Sequence, residues 1–331
     1  MSSPLAIRRA SCMNPAAMSE ANTEATAIPP TMGMTRADFM ELTKFRLSLL
    51  VLISTFVSYW LNRPAQWTFA PMMHTMIGSA LAAFGAAIFN QLMEIGPDSL
   101  MKRTADRPLP ARRVEPGVAF GMGWLLSAFA LIHLVKMVNL ESAALCALTL
   151  GVYIFIYTPM KQKSAWNTIV GAVSGALPPL IGWAGAAGAA RVGDPYFRTE
   201  LVLAPGAVYL FLLLFLWQLP HFLAINWMYR DEYRKGGFVM WANEDESGQT
   251  TSRLALIFSV AALLLTIHPV MTHCVSAGFA PASIAINAVL ISFAWRFFKA
   301  RDRASARKLF LFTLLHLPLM LAAAAIFWNR A

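Results

Sequence analysis

The fold is decided by the stretch Ile77–Pro110, IGSALAAFGAAIFNQLMEIGPDSLMKRTADRPLP. Its first half, up to Met93, is an apolar run that supplies most of the roughly 20 residues needed to cross the hydrocarbon of a bilayer. From Asn90 onward it contains an amide, two carboxylates four residues apart and three cations, namely Asn90, Glu94, Asp98, Lys102, Arg103 and Arg107. The stretch therefore predicts a membrane helix that ends in a polar, chemically active connection.

The composition of the whole chain indicates a lipid environment. Of its 331 residues, 57% are hydrophobic and only 13% are charged, and the mean hydropathy is +0.54. Soluble domains carry roughly 25% charged residues. The net charge of +10 would suit nucleic acid, but the cations fall in short connections between apolar runs. That distribution is typical of membrane proteins, so a nucleic-acid partner is rejected.

Nine apolar segments are predicted to be transmembrane helices. Of the 27 Lys and Arg residues, 22 fall on the side of the N-terminus, which predicts an inner N-terminus and an outer C-terminus. Residues 1–37 are polar and predict a disordered cytoplasmic tail, so the membrane domain spans 38–331. The predicted helices are 47–62, 73–93, 117–135, 139–158, 166–187, 202–222, 253–272, 277–297 and 309–328.

The polar groups of the first stretch suit magnesium and diphosphate. Asn90, Glu94 and Asp98 recur every four residues, a spacing that puts them on one face of a helix. Pro97 removes a backbone donor, so we expect the helix to bend or end near Glu94 and Asp98 to lie in an irregular turn. Alone, the two carboxylates are equally well explained as solvated side chains at a helix end. Mg²⁺ prefers such oxygens, however, and nearby cations can clamp diphosphate. The cations in question are Lys102, Arg103 and Arg107.

A second acidic connection lies within Trp217–Met240, WQLPHFLAINWMYRDEYRKGGFVM. Asp231 and Glu232 stand beside cations there, as the carboxylates of the first connection do. Two acidic patches on separate connections can hold two metal ions around one diphosphate, so both acids are candidates for catalysis. Which of the two is a ligand stays open. His221 lies at the edge of the preceding segment, where a lone histidine is more often a packing residue than an iron ligand.

The fifth apolar segment contains a helix-breaking pair, Pro178–Pro179. A broken helix at mid-membrane depth usually lines a cavity, although a simple packing kink is the alternative. Gly171 and Gly175 precede the break at a four-residue spacing. They predict a face of small residues on which another helix packs closely.

These stretches resemble the protoheme IX farnesyltransferase branch of the UbiA superfamily of intramembrane prenyltransferases. The resemblance covers about residues 41–325. It rests on Leu42–Arg46 (LTKFR), on the Asn90 motif through Leu109, on Gly175–Trp183 (GALPPLIGW) and on Pro220–Phe222 (PHF). The last two pieces are specific to the heme branch, whereas the acidic motif identifies only the superfamily.

The chain departs from that pattern at three positions. Most bacterial members that resemble it have aspartate where Glu94 stands, a further aspartate where Gly96 stands and proline where Phe45 stands. The carboxylate role at Glu94 is expected to survive, with a slightly altered reach. No chemistry is attached to the change at Phe45.

The resemblance implies a nine-helix bundle around a central cavity that the inner connections cap. It implies that Mg²⁺, held by Asn90, Glu94 and Asp98, binds farnesyl diphosphate, and that a vinyl group of heme B attacks the resulting allylic cation. The product would be heme O, and a downstream heme A synthase is an expected partner. The location would be a bacterial inner membrane or the mitochondrial inner membrane. Further diphosphate contacts are expected from Lys161, Arg234 and Lys235, and heme contacts from Lys44, Arg46, Trp183 and His221.

Two other functions remain open. The first is a prenyltransferase of the same fold with an aromatic or chlorin acceptor. The second is a cation transporter that uses Glu94 and Asp98 as its mouth. A transporter should place carboxylates near the bilayer midplane, whereas the acids of this sequence lie at the inner edge.

Overall fold

The computed structural model describes residues 34–192 and 196–329, and these ranges are helical apart from connections and one isolated bridge pair. Eight of the described helices are long and apolar enough to cross a membrane. The prediction of an all-α membrane protein is therefore confirmed. In chain order, the long apolar helices of the described ranges are α1 (Phe45–Leu61), α2 (Phe69–Met93), α3 (Pro116–Met137), α4 (Leu140–Met160), α5 (Asn167–Ala187), α6 (Pro205–Met228), α7 (Gln249–Met271), α8 (Phe279–Ala300) and α9 (Arg303–Phe327).

Helix α1 is the shortest of these helices, with 17 residues against 21 to 25 for the others. The total of nine crossings and the sides on which the termini lie stay predictions. The predicted tail, 1–37, falls outside the described residues up to residue 33, and the domain boundary stays a prediction as well. The described connections contain the short helices Arg36–Leu42, Ile95–Leu100, Thr199–Val202, Arg230–Lys235 and Trp241–Glu244.

Helix α5 lies at the centre of the bundle, where it contacts α1, α2, α4 and α6. Its helical hydrogen bonding is interrupted at Pro178 and Pro179, as predicted. The carbonyl groups of these prolines accept hydrogen bonds from α1, from Thr55 Oγ1 at 3.3 Å and from Ser58 Oγ at 2.6 Å respectively. The hydroxyl groups of α1 thus bond to the first carbonyl groups after the interruption, which fixes α1 against α5.

Three glycines of α5 permit close approach of neighbouring helices. A Cβ at Gly182 would collide with the carbonyl oxygen of Thr55, so α1 can lie here only against a residue without a side chain. A Cβ at Gly171 would lie 2.6 Å from the ring of Tyr157 on α4. A Cβ at Gly175 would likewise collide with the side chain of Gln218 on α6, so both glycines of the predicted small face pack closely against other helices.

The two polar connections predicted to lie on the inner side meet at one end of the bundle. Helix Ile95–Leu100 contacts helix Arg230–Lys235, and Met101 packs in a buried cluster with Phe238 and Met240. Because the connections follow α2 and α6, their meeting brings both acidic stretches to the same end.

The turn after α4 joins the same end. The backbone N–H of Val239 donates to the carbonyl oxygen of Lys161 at 2.7 Å. The side-chain amide of Asn167, at the start of α5, donates to the Val239 carbonyl at 2.7 Å. Three segments that are distant in sequence thus form one polar end, which positions the site.

Candidate active site

The predicted carboxylate motif forms a nearly continuous helical face. Glu94 caps the end of α2 and precedes helix Ile95–Leu100. The N–H of Glu94 donates to the Asn90 carbonyl at 3.1 Å, and the N–H of Asp98 donates to the Glu94 carbonyl at 2.8 Å. Pro97 has no such donor, which explains why α2 stops here. The predicted bend is confirmed, but the prediction of an irregular turn was wrong, because Asp98 lies in a short helix.

The three side chains of this motif are buried, and each meets a cation from a different segment. One cation precedes α1, one follows α4 and one lies in the connection after α2. The pairs are Lys44 Nζ with Asn90 Oδ1, Lys161 Nζ with Glu94 Oε1 at 2.6 Å, and Arg107 with Asp98 Oδ2 at 2.6 Å. The site therefore pairs one amide and two carboxylates with three cations.

The charges of these groups follow from burial and from their neighbours. Burial raises the pKa of the Glu94 carboxyl, but Lys161 and Lys44 outweigh burial and hold that pKa below its ordinary value of 4.5. Burial favours a lower pKa for Lys161, but Glu94 outweighs it and the pKa of Lys161 is raised. For Lys44 burial dominates and lowers the pKa to about 7. Glu94 is thus ionised at neutral pH, opposite a firmly protonated Lys161.

A π-helical turn of α4, Val152–Tyr157, presents two tyrosines to the same place. The hydroxyl of Tyr153 lies 3.4 Å from Asn90 Oδ1, and Lys161 Nζ lies 4.5 Å from the centre of the Tyr157 ring. Such turns are frequent at functional sites. Sequence reasoning missed both tyrosines. The signal was present, because Tyr153, Tyr157 and Lys161 recur every four residues as the carboxylate motif does.

Two buried polar atoms of this cluster, Asn90 Nδ2 and Asp98 Oδ1, have no partner among the described residues. Leaving such an atom unpaired costs about 1–3 kcal/mol, so both atoms favour a ligand. Lys44 donates to the Asn90 oxygen, so the amide NH₂ is left for an acceptor. A carboxylate oxygen ready for a cation and an amide ready for an acceptor fit a divalent ion with a bound anion.

The second acidic connection contributes its two acids unequally. Asp231 is 76% exposed and its carboxylate lies 3.8 Å from Arg230. Glu232 is half-buried, and its Oε2 is buried without a partner among the described residues. Glu232 is therefore the better placed of the two to bind a ligand. In the same helix, Arg234 donates to the carbonyl of Asn243, and Lys235 is exposed.

The three cations of the first connection also differ in their surroundings. Arg107 binds Asp98, whereas Lys102 and Arg103 are exposed. The guanidinium of Arg103 lies over aromatic rings of the second connection, 5.4 Å from the centre of Tyr229 and 6.0 Å from that of Tyr233. Their predicted role at the diphosphate stays a prediction.

The short helix Arg36–Leu42 is fastened to α2 beside the site. The side-chain amide of Gln91 donates to the carbonyl oxygens of Glu41 at 2.9 Å and Leu42 at 3.0 Å. Gln91 directly follows Asn90, so these bonds help to hold the last turn of α2. This anchor was not predicted.

An ion-pair group ties the same helix to the connection that follows α2. Arg113 lies 2.8 Å from Asp38 Oδ1 and 3.0 Å from Asp106 Oδ1. The hydrogen bond from Arg113 to Asp38, with a second from Thr35, holds the pKa of the Asp38 carboxyl below its ordinary value. The connection is thereby held against the N-terminal helix.

The residues expected to contact heme are not brought together. Trp183 packs beside Trp328 and Gly206, at the start of α6. His221 lies 15 residues further along α6, which is about 22 Å at 1.5 Å per residue. Its Nδ1 lies 2.8 Å from Thr313 Oγ1. Of the two expected cations, Lys44 lies in the carboxylate cluster, and Arg46 is exposed at the start of α1.

Comparisons with known proteins agree with this architecture. The model of the UbiA prenyltransferase family matches residues 51–317. A protoheme IX farnesyltransferase of Opitutus terrae is 39% identical over 88% of this chain and 94% of the relative. The protoheme IX farnesyltransferase of Solibacter usitatus is 36% identical over 86% of this chain and 96% of the relative. The mitochondrial protoheme IX farnesyltransferase of Arabidopsis thaliana is 33% identical over 86% of this chain and 63% of the relative.

Solved structures share the fold at low sequence identity. A UbiA homologue from Aeropyrum pernix K1 superposes with a TM-score of 0.67 and 16% sequence identity. The superposition covers 85% of this chain and 97% of that chain. A UbiA homologue from Archaeoglobus fulgidus, solved with GPP and Mg²⁺ bound, gives a TM-score of 0.62, with 12% identity, 87% of this chain and 99% of that chain. The bundle therefore has the UbiA fold.

Proposed function

Because the chain belongs to the UbiA prenyltransferase family, we propose that it transfers the farnesyl group of farnesyl diphosphate to a vinyl group of protoheme IX (heme B). Water adds in the same sequence, so the products are heme O and diphosphate. The observation that carries the proposal is the 39% identity, over 88% of the chain, with a relative named for this activity. The polar end of the bundle supplies a site of suitable chemistry.

Glu94 and Asp98 would hold one Mg²⁺ ion. Because no three metal-binding acidic, histidine or cysteine side chains come together in the described ranges, Glu232 would hold a second ion from the other connection. The fit is supported by the buried, unpartnered oxygens of Asp98 and Glu232 and by a donor set of hard carboxylate oxygens. When bound, the ion neutralises the charge of a diphosphate and binds its oxygens. The Archaeoglobus fulgidus homologue was solved with Mg²⁺ and GPP, which makes the assignment reasonable for this fold.

The cations of the cluster would bind the diphosphate itself. Lys161 and Arg107 hold carboxylates at 2.6 Å, and both can share their remaining N–H groups with phosphate oxygens. Asn90 faces Lys44 with its oxygen, so its NH₂ is the group left to donate to the diphosphate. Its earlier expected role as a metal ligand would require that oxygen to leave Lys44.

The chemical work of these residues is electrostatic. Negative charge grows on the diphosphate as its bond to C1 of the farnesyl group breaks, and fixed cations such as Lys161 and Arg107 stabilise that charge. A new carbon–carbon bond then joins C1 to the vinyl group. Water supplies the hydroxyl group of the product and a proton is released. The apolar helices around the site keep other water molecules from the reactive carbon.

The proposed setting follows from the same assignment. The polar end would face the cytoplasm across a bacterial inner membrane, or the matrix across the mitochondrial inner membrane, since relatives of both kinds exist. The product is amphipathic and membrane-bound, so a downstream heme A synthase in the same membrane is the proposed recipient.

Mass spectrometry of heme tests the proposal. The full chain is expressed in a host that lacks its own heme O synthase, and extracted hemes are compared with those from the Glu94→Gln, Asp98→Asn double variant. We expect heme O only with the unaltered chain, and Mg²⁺-dependent release of diphosphate from farnesyl diphosphate by the purified protein. Heme O in equal amounts from the double variant would overturn the assigned site. Farnesylation of 4-hydroxybenzoate in place of heme would overturn the acceptor.

A further inference from the structure

A second cluster of cations surrounds Tyr229, where α6 ends. Arg103 and Arg303 come from connections that lie 200 residues apart, yet their guanidinium carbons lie 5.4 and 5.7 Å from the centre of the same Tyr229 ring. Beside them, Arg230 lies 4.3 Å over the ring of Trp227. Because both distances are measured to the same ring centre, the guanidinium carbons of Arg103 and Arg303 are at most the sum of the two distances apart.

Arg230 pairs with Asp231, but no protein carboxylate in the described ranges balances the charges of the two arginines on Tyr229. Neither Arg103 nor Arg303 forms an ion pair within the described ranges, and both side chains are exposed. The nearest acid in sequence, Asp302, accepts the N–H of Ser305 at 2.7 Å and caps α9. The C-terminal end of α6 attracts cations, but only with a partial charge. Two exposed cations fixed on one ring therefore favour an anion with two binding groups.

The cluster lies next to the carboxylate site. Arg103 directly precedes Thr104, whose hydroxyl donates to the carbonyl oxygen of Asp98 at 2.9 Å. The second ring under Arg103, that of Tyr233, packs against the buried Met101 cluster, which joins the two acidic connections. A ligand held by Arg103 and Arg303 would therefore lie at the mouth of the proposed reaction site.

We infer that Arg103 and Arg303, ordered by Tyr229, bind the two propionate carboxylates of the tetrapyrrole acceptor. The inference rests on the proposed function. It replaces the expectation that Lys44 and Arg46 meet the propionates, since Lys44 lies on Asn90. It also replaces the expectation that Arg103 binds the diphosphate. The planar fork of arginine matches a carboxylate, and protoheme IX carries two of them. The site would select a dianionic acceptor over a neutral one of the same shape.

Substrate and side chain can be altered together to test this. The full chain, in nanodiscs of neutral phospholipid, is assayed with protoheme IX and with its dimethyl ester, in which both carboxylates are blocked. For the unaltered protein we expect kcat/KM to fall about tenfold with the ester, which corresponds to about 1.4 kcal/mol. For the Arg103→Gln, Arg303→Gln double variant we expect the same fall with protoheme IX and no further fall with the ester. The KM for farnesyl diphosphate should stay within about twofold.

Arg296→Gln is the matched control, because Arg296 is also exposed and lies over an aromatic ring, 5.6 Å from Phe293. It should behave like the unaltered protein. An equal loss in this control would show that the effect comes from general positive charge, which also attracts anionic lipid. That result would overturn the inference. A loss of equal size for both acceptors in the double variant, or a raised KM for farnesyl diphosphate, would overturn it as well.

Equilibrium binding separates this inference from the proposed function. Absorbance titration with protoheme IX, without farnesyl diphosphate, should show about tenfold weaker binding by the double variant and equal binding of the ester by both proteins. Absence of transfer by the unaltered protein would overturn the function, while the titration would still decide the role of Arg103 and Arg303. Unchanged protoheme binding by the double variant would overturn the inference alone.

Discussion

Lys161 Nζ lies 2.6 Å from Glu94 Oε1, although 67 residues of sequence separate them. Both side chains are largely removed from solvent, at 11% and 6% exposure. A buried carboxylate keeps its charge only with a partner of this kind. The pair therefore joins the ends of α2 and α4 and maintains the charge that the proposed chemistry requires.

Replacing Lys161 with Gln should destabilise the protein and weaken substrate binding. The change leaves the Glu94 carboxylate buried with less compensation, at a cost on the order of 3 kcal/mol. Thermal unfolding in detergent and the KM for farnesyl diphosphate measure the two effects. Lys163→Gln is the control, because Lys163 is exposed in the same turn. Equal unfolding temperatures for the two variants would refute the importance of the pair.

Removing a proposed magnesium ligand should lower turnover about 100-fold, in the range typical of lost groups at metal sites. Glu94→Gln and Asp98→Asn keep shape and remove charge, so they should also raise the Mg²⁺ concentration needed for half-maximal rate. Asp106→Asn serves as the control, because the Asp106 side chain is 97% exposed. Turnover near the unaltered level in either ligand variant would contradict the site.

The two acids of the second connection should differ in their effects. Glu232→Gln should reduce turnover about tenfold or more, because the Glu232 Oε2 atom is buried and free of partners in the described ranges. Asp231→Asn should change turnover less than about twofold, because Asp231 is 76% exposed. Steady-state rates at saturating Mg²⁺ make the comparison, and the reverse order would show that Asp231 is the ligand.

The Asp38–Arg113 pair should contribute a pH-dependent stability. The folded-state pKa of Asp38 is depressed, so its stabilisation is present above the unfolded pKa of about 3.9 and is lost as pH falls through the lower folded value. Asp38→Asn should cost about 1 kcal/mol at pH 7, a modest value because Arg113 is 37% exposed. Thermal unfolding across pH 3 to 7 should show the difference shrinking only below about pH 4. A constant difference would contradict the assignment.

Close packing of α1 on α5 should make Gly182 intolerant of even one methyl group. Gly182→Ala drives a Cβ into the Thr55 carbonyl and should cost about 1–3 kcal/mol. Gly121→Ala on α3 is the matched control, since no atom lies within 4 Å of the Cβ it would introduce. That variant should be neutral or slightly stabilising, because alanine favours helix. Thermal unfolding compares the two, and a neutral Gly182→Ala would contradict the close approach.

The long helices could be predicted because lipid requires a continuous apolar run, and such runs are visible in the sequence. The carboxylate face could be predicted for a similar reason, since Asn90, Glu94 and Asp98 follow the helical repeat and the hydrogen bonds of that repeat persist on both sides of Pro97. Only the predicted backbone conformation of Asp98 was wrong, because a short helix resumes after the break and includes this residue.

Partners across the bundle could not be predicted, because they depend on how helices pack. Nothing near Lys44 in sequence indicates that it meets Asn90, and it was expected to meet heme instead. Trp183 and His221 belong to two motifs that resemble one family, yet Trp183 packs on the start of α6 and His221 lies about 22 Å further along that helix. Family motifs identify residues that matter together without showing that they touch.

The hydrogen bonds from Gln91 to Glu41 and Leu42 have a practical consequence for anyone who shortens the chain or fuses a tag to it. Trimming that stops before Arg36 leaves both acceptors in place. Trimming through Thr43 would strip them from a side chain that neighbours Asn90, and would loosen the last turn of α2, where the proposed site lies. The usable cloning boundary therefore lies upstream of the first short helix, well before the first apolar one.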